Sequence, residues 1–188
     1  MNMKMKNQGH SSAVMALLLL VAAVLACSSM GDETPKANKL VEEGNAAVQE
    51  GQKYVTDAGE KMQKMMQTNV AQLNEARETA RETIAAYDKA KEKCKEASQK
   101  YEEASKLKIK DKFKEYLALK VKEYDKRAEL IETAKGSPQA LLDAKSRSSF
   151  ISMANANNER VDRLTKEADD LGAQADKLQK DNPDIFKK

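Results

Sequence analysis

Residues 69–104 read NVAQLNEARETARETIAAYDKAKEKCKEASQKYEEA, and small or apolar side chains recur there at a spacing of seven. One register starts at Asn69 and a second starts four residues later at Leu73, with charged residues at most positions between them. The register positions are Asn69, Ala76, Thr83, Ala90, Ala97 and Ala104, and then Leu73, Ala80, Tyr87, Cys94 and Tyr101. This pattern predicts a coiled-coil helix with an alanine-rich face.

Upstream of residue 69 the first register continues through a glycine-containing stretch. The upstream positions are Val41, Val48, Val55 and Met62. Gly44, Gly51 and Gly59 each cost about 1 kcal/mol relative to alanine in a helix, so 36–67 is predicted to be the softest helix. Thr68-Asn69 has two interpretations, a buried asparagine that fixes the register or a helix break near 68–69.

The three prolines of the chain stand where helix boundaries are expected. Thr34-Pro35 is typical of a helix start, Gly136-Ser137-Pro138 of a C-cap followed by a new helix, and Asn182-Pro183 of a helix end. We therefore expect a helical domain over 36–181, with a break at 136–138, and a C-terminal tail over 182–188.

A different pattern occupies residues 106–114, where lysine alternates with other residues. The alanine register stops there and a new apolar face runs from Phe113 to Ile131, which we expect to meet the final helix. The change predicts a break near 106–112, or a bent helix. The lysines could bind lipid phosphates or another acidic envelope surface, or could form a solvated elbow. They are Lys106, Lys108, Lys110, Lys112 and Lys114.

The expected fold is all-α, an elongated helical hairpin or a three- or four-helix bundle with coiled-coil packing. The short connection at 136–138 predicts antiparallel neighbours. The stretch 36–106 would span about 105 Å as one helix, longer than 138–181 can cover. Parallel self-association would cover the excess and bring two Cys94 thiols together in an intermolecular disulfide, whereas folding back at 68–69 would give a compact monomer.

The first 26 residues have the parts of a secretory signal. Lys4 and Lys6 precede an apolar stretch over 13–25, which is followed by the small residue Ala26. The apolar stretch would measure about 20 Å as a helix, too short to cross a hydrocarbon core about 30 Å thick. An export signal is therefore favoured over a retained transmembrane helix.

The end of this signal, Val24-Leu25-Ala26-Cys27, resembles the lipobox of bacterial lipoprotein precursors. The resemblance implies cleavage after Ala26, removal of 1–26, acylation of Cys27 and membrane attachment through the acyl chains. Residues 27–35 would then be the acylated cysteine and a short polar tether. Ser28 resembles the enterobacterial signature for delivery to the outer membrane of a two-membrane cell.

Removal of the signal changes the composition in ways that bear on function. It takes away His10, the one histidine of the chain, and so the usual general base and metal ligand. It also takes away Lys4 and Lys6, so that 33 basic residues become 31 against 30 acidic ones. The sequence therefore predicts no enzyme, metal site, cofactor or small-molecule substrate, and no nucleic-acid partner.

The leading hypothesis is a non-enzymatic, lipid-anchored envelope protein that acts as a structural spacer or an interaction scaffold. The alternative is a periplasmic adaptor or chaperone-like module that uses the Ser- and Asn-rich half of the last helix or an adaptable surface of Met62, Met65 and Met66. A third hypothesis is covalent attachment to peptidoglycan through Lys188, since a lipidated helical chain ending in lysine resembles the murein lipoprotein of enteric bacteria.

Overall fold

The computed structural model describes residues 31–67, 73–144 and 147–187, with side chains except at 66, 73 and 147–151. These ranges contain helices and no strands, so the predicted all-α class is confirmed as an arrangement of four long helices and one short helix. The helices are α1 (Thr34–Gln67), α2 (Leu73–Ser105), α3 (Asp111–Ala134), α4 (Gly136–Asp143) and α5 (Arg147–Asp181).

The long helices pack in chain order, each antiparallel to the next. Helix α1 packs on α2, α2 on α3 and α3 on α5, whereas α1 and α5 have no extensive contact with each other in the described part. At about 1.5 Å per residue, α1 is about 51 Å long. The body is therefore an elongated up-and-down array in which α2 and α3 are the central helices.

The alanine-rich face of α2 is covered by α1 of the same chain. Ala90, Ala97 and Ala104 are fully buried on this face, and Ala37 and Ala47 of α1 belong to the same core. The chain thus covers the register by folding back, and no parallel second copy is needed for that purpose. The break expected at 68–69 lies in the linking residues 68–72, outside the described residues.

Glycines of α1 allow this close approach. A Cβ atom at Gly44 would lie 2.9 Å from the Tyr101 ring, and one at Gly51 would lie 3.1 Å from the Cβ of Lys93. A Cβ atom at Gly59 would meet nothing within 4 Å. Gly44 and Gly51 therefore lie in close contact with α2, with the tighter contact at Gly44, whereas Gly59 does not.

Helix α3 has two buried faces because it lies between α2 and α5. Tyr124 stacks on Tyr101 of α2, with ring centroids 5.6 Å apart. Glu123, one residue earlier, faces Gly172 of α5. The prediction that the face from Phe113 to Ile131 meets the final helix is therefore wrong at Tyr124, which packs on α2. The face of α3 that packs on α5 was missed because it is made partly of charged residues.

The helix breaks differ in detail from the expected ones. The chain leaves α2 after Ser105 and enters α3 at Asp111. A single residue, Lys135, separates α3 from α4, and Gly136 lacks the positive φ of a glycine C-cap. Gly136 instead makes room for Asn157, because a Cβ atom there would lie 2.5 Å from the Asn157 Oδ1. Helix α4 ends at Asp143 and α5 begins at Arg147, a division within 138–181 that was not predicted.

Different segments of the chain meet at the two ends of the array. At one end, which we call the Lys108 end, the start of α1, the α2–α3 turn and the tail after α5 meet. At the other, which we call the Met65 end, α4 packs on α2 and α5. A small core there comprises Met65, Ala76 and Ala80, packed with Met62, Leu141 and Leu142.

Candidate functional site

The Lys108 end begins with a reciprocal contact between the start of α1 and the α2–α3 turn. The Glu33 N–H donates to the Lys108 carbonyl oxygen at 2.9 Å, and the Lys108 N–H donates to the Glu33 Oε2 at 3.0 Å. The second bond favours the carboxylate, and it is the main cause of the lowered pKa of Glu33. The position at which the chain enters α1 is therefore fixed beside the lysine segment.

The residues after α5 also fold onto this end. They turn back so that Ile185 is buried and the Phe186 ring lies against two rings of α3. The Phe186 centroid is 4.8 Å from that of Phe113 and 5.2 Å from that of Tyr116, both in edge-to-face geometry. The segment expected as a tail over 182–188 is thus packed as far as Phe186.

Polar contacts tie this segment to α1 and to the turn. The Asn38 Nδ2 donates to the Phe186 carbonyl oxygen at 3.0 Å, and the Lys110 Nζ donates to the Asp184 carbonyl oxygen at 3.2 Å. Lys187 pairs with the Asp184 carboxylate at 2.7 Å and lowers its pKa. Three segments that are distant in sequence therefore form one joined surface.

All five lysines of the segment 106–114 are exposed on this surface. Lys106 pairs with Glu102 at 2.8 Å, and Lys112 pairs with Glu115 at 2.7 Å. The other three, Lys108, Lys110 and Lys114, have no carboxylate of the described residues within 4.0 Å of the ammonium group. These three ammonium groups are available to an external anion.

The methionines proposed as a partner surface lie at the opposite end. Met65 is 5% exposed and packs with Met62 against α2 and α4. The side chain of Met66 lies outside the described residues. Met65 therefore belongs to a core, and an adaptable surface made of it is not what the structure shows.

Cys94 is a free thiol in the core between α2 and α3. It is 8% exposed, and burial raises the pKa of the thiol to about 11. A buried, protonated thiol is a poor nucleophile. The intermolecular disulfide expected at Cys94 would require this part of the body to open.

A buried group of charges lies between α3 and α5. The Lys120 Nζ is 2.6 Å from the Glu123 Oε2, with side chains 9% and 5% exposed, and the Arg127 Nε donates to the Glu123 Oε1 at 2.9 Å. Arg127 also reaches Asp169 of α5 at 3.2 Å. Both oxygens of Glu123 are occupied by cations of α3 itself, and Arg127 connects this group to α5 through Asp169.

A groove of about 400 Å³ lies over α3 between α2 and α5. Of its three cations, Lys91 and Arg160 are paired with Glu132 and Glu129 at 2.6 and 3.5 Å, and Lys95 is the third. Within the described ranges no group of three or more acidic or cysteine side chains is placed to hold a metal. None of these helices is both long and apolar enough to span a bilayer. The Lys108 end is therefore the site with the clearest chemistry.

Sequence reasoning found the lysines of this site but missed the residues that position them. Glu33, Asn38 and Phe186 carry the contacts, and they come from the first and the last described segments of the sequence. The apolar pair Ile185-Phe186 directly after Asn182-Pro183 is the signal that could have indicated a return to the core. Cys27, the signal over 1–26 and Lys188 lie outside the described residues.

Comparison with known proteins finds no matching family model, no matching curated protein and no matching solved structure. Any function assigned to this chain therefore depends on its own residues and their arrangement.

Proposed function

We propose that this chain is a non-enzymatic, lipid-anchored envelope protein that acts as a structural spacer or interaction scaffold. In this proposal Cys27 carries the acyl chains, and the body stands on the membrane with its Lys108 end down. The observation that supports it is the contact of Glu33 with Lys108, which fixes the entry of the chain at one end of an elongated body. An anchor upstream of Glu33 therefore attaches the body by an end.

The length of the free tether limits the distance from the bilayer. Residues 27–33 extend over at most about 21 Å at about 3.5 Å per residue. The opposite end of the body lies about 50 Å farther away, the length of α1. The arrangement suits a protein that holds the Met65 end at a set distance from the membrane.

The position of the C-terminus bears on the peptidoglycan hypothesis. Phe186 is held at the Lys108 end, so Lys188, two residues later, can lie at most about 7 Å farther along the chain. Both chain termini of the body are thus at the proposed membrane side. This geometry favours a spacer over a chain that reaches away from the membrane to link Lys188 to a wall polymer.

One of the two surfaces considered for the adaptor alternative, on α5, is exposed. Within α5, Asn157 donates to Ser137 at 2.9 Å, whereas Ser152, Asn155 and Asn158 are exposed. Met153 is 45% exposed beside them. A client-binding role would use this half of α5 and not the buried Met65.

Acyl labelling tests the anchor. Cells that express the full chain are labelled with a radioactive fatty acid, and the chain is recovered and separated by mass. We expect label on the wild type and on Cys94→Ser, processed to begin at residue 27, and no label on Cys27→Ser. The chain has only these two cysteines, so Cys94→Ser is the matched control. Label that persists in Cys27→Ser, or a wild type without label, would contradict the proposal.

A further inference from the structure

We propose that the lysines at the Lys108 end form a second membrane contact, which binds the phosphate groups of anionic phospholipids in the leaflet that holds the acyl chains. This inference rests on the proposed function for the source of the lipid surface. It adds a defined partner and a defined orientation of the body.

The first support is position. The contact between Glu33 and Lys108 places the lysine segment at the start of α1. An anchor at Cys27 can therefore be no more than about 21 Å of chain from Glu33. The lysines are held close to the headgroups whenever the anchor is inserted.

The second support is the distribution of charge. The chain from residue 28 carries 31 basic and 30 acidic residues, a net charge of +1. Residues 106–114 alone hold five lysines and one aspartate, a net charge of +4. Residues 31–36 and 184–187 add two lysines and three carboxylates, and Glu102 and Glu115, which pair with Lys106 and Lys112, bring the surface to seven lysines and six carboxylates. This end is therefore distinguished by its run of five lysines at 106–114, which would face the bilayer, and not by a large net charge.

The third support is the state of these side chains. Two carboxylates that share the surface are engaged, since Glu33 accepts the Lys108 N–H and Asp184 pairs with Lys187, whereas Asp111 lies within the lysine segment itself. Lys108, Lys110 and Lys114 are exposed without a carboxylate of the described residues within 4.0 Å. A solvated elbow would need neither three cations without carboxylate partners nor their placement beside the entry of the chain.

The acyl anchor and the lysines together would hold the body in one orientation on the membrane. Acyl chains hold a protein at the bilayer but do not by themselves set the angle of the attached body. A set of lysines at one end adds attraction to anionic headgroups that falls off within a Debye length, about 8 Å at physiological salt. The attraction therefore acts only when the Lys108 end faces the membrane.

Vesicle sedimentation tests the lysine contact without the anchor. The chain 28–188 is used, because every residue of the described cores lies between 37 and 186 and the body folds around these residues. It is mixed with vesicles of equal parts phosphatidylglycerol and phosphatidylethanolamine, or of phosphatidylcholine. We expect binding to the first vesicles at 50 mM salt, a strong decrease at 500 mM salt, and no binding to the second.

Two triple variants with the same change in charge give the matched comparison. Lys108→Gln/Lys110→Gln/Lys114→Gln is expected to lower partitioning on the order of a hundredfold. The control replaces three exposed lysines that are far from the Lys108 end, and it is expected to bind like the wild type. These are Lys53, Lys122 and Lys166. Circular dichroism of both variants confirms that they fold.

The outcomes separate this inference from the proposed function. Equal loss in both triple variants, equal binding to the two kinds of vesicle, or no binding to phosphatidylglycerol at 50 mM salt would overturn it. So would displacement by 10 mM inorganic phosphate at constant ionic strength, or binding to lipopolysaccharide alone. Acyl labelling of Cys27 is independent of every one of these results, so either claim can fail without the other.

Discussion

The α1–α2 and α3–α5 interfaces join antiparallel helices in different ways. The first is made of small side chains, with Gly44 and Gly51 placed against α2. The second contains the buried ion group of Lys120, Glu123 and Arg127. Removal of one partner therefore has different consequences. At the α1–α2 interface it changes how closely the helices pack, whereas at the α3–α5 interface it leaves an unpaired charge that is shielded from water.

The two interfaces also differ in the interactions on which their packing depends. Alanine and glycine contribute little buried area, so the first interface depends on how closely the helices approach. The second contains an ion group that is formed within α3 and reaches α5 through Arg127 and Asp169, and a buried ion pair stabilises little net but is costly to break. Four predictions test this contrast, in the chain 28–188 and by denaturant unfolding unless stated otherwise.

The largest effect is expected for Glu123→Gln. This change leaves Lys120 and Arg127 without their shared carboxylate, and we expect the free energy of unfolding to fall by about 3–5 kcal/mol. The control Glu129→Gln removes a half-exposed carboxylate from the same helix and should cost much less, because solvent screens its ion pairs. Similar losses in both variants would show that burial of the Glu123 group is not what matters.

Gly44→Ala should have a smaller effect. The added Cβ would lie 2.9 Å from the Tyr101 ring, and overpacking of this kind costs about 1–3 kcal/mol, more than alanine gains in helix propensity. We expect a net loss of about 1 kcal/mol. An increase in stability would mean that α1 can move away from α2 without cost.

Gly59→Ala is the matched substitution on the same helix. Its Cβ would meet nothing within 4 Å, so only the change in propensity remains. We expect a gain of up to about 1 kcal/mol. If Gly59→Ala and Gly44→Ala shift the denaturant midpoint in the same direction, the close approach of Gly44 to the Tyr101 ring does not determine the effect of Gly44→Ala.

The smallest effect concerns the α1 side of the Lys108 end. Because the folded state lowers the pKa of Glu33, the carboxylate stabilises the fold above its ordinary pKa of 4.5. This contribution is lost as the pH falls through the lowered value. Wild type should be slightly more stable than Glu33→Gln at pH 6, and the difference should shrink as the pH is lowered below 4.5, as measured by unfolding at each pH. A difference that stays constant with pH would exclude the titration of Glu33 as its cause.

The contrast between the interfaces explains how far sequence predicts this fold. The alanine register around Ala90 and Ala97 has a spacing of seven, so a helix with one packed face could be inferred from it. The role of Gly44 could not, because a glycine in a helix gives no indication of which ring approaches it. Glu123 could not be assigned to a core, since charged residues on a helix are usually solvated. Its burial depends on Gly172, which is 49 residues away.

The candidate site was predicted to a similar degree. The lysines of 106–114 were recognisable from their alternation. Their position beside the start of α1 was not, because it depends on the contact of Glu33 with Lys108 across 75 residues. The acylation of Cys27 stays a prediction. Phe186 was assigned to a tail, since a single aromatic residue after a proline does not show where it will pack.

The return of the C-terminal segment to the Lys108 end also determines how the body responds to force. A pull between residues 31 and 187 acts at one end of the array, so the outer helices would peel away and their contacts would break one after another. A pull between the same entry point and the Met65 end acts along the helix axes and loads the contacts of an interface together. The body should therefore yield at low force in the first geometry and resist a much higher force in the second.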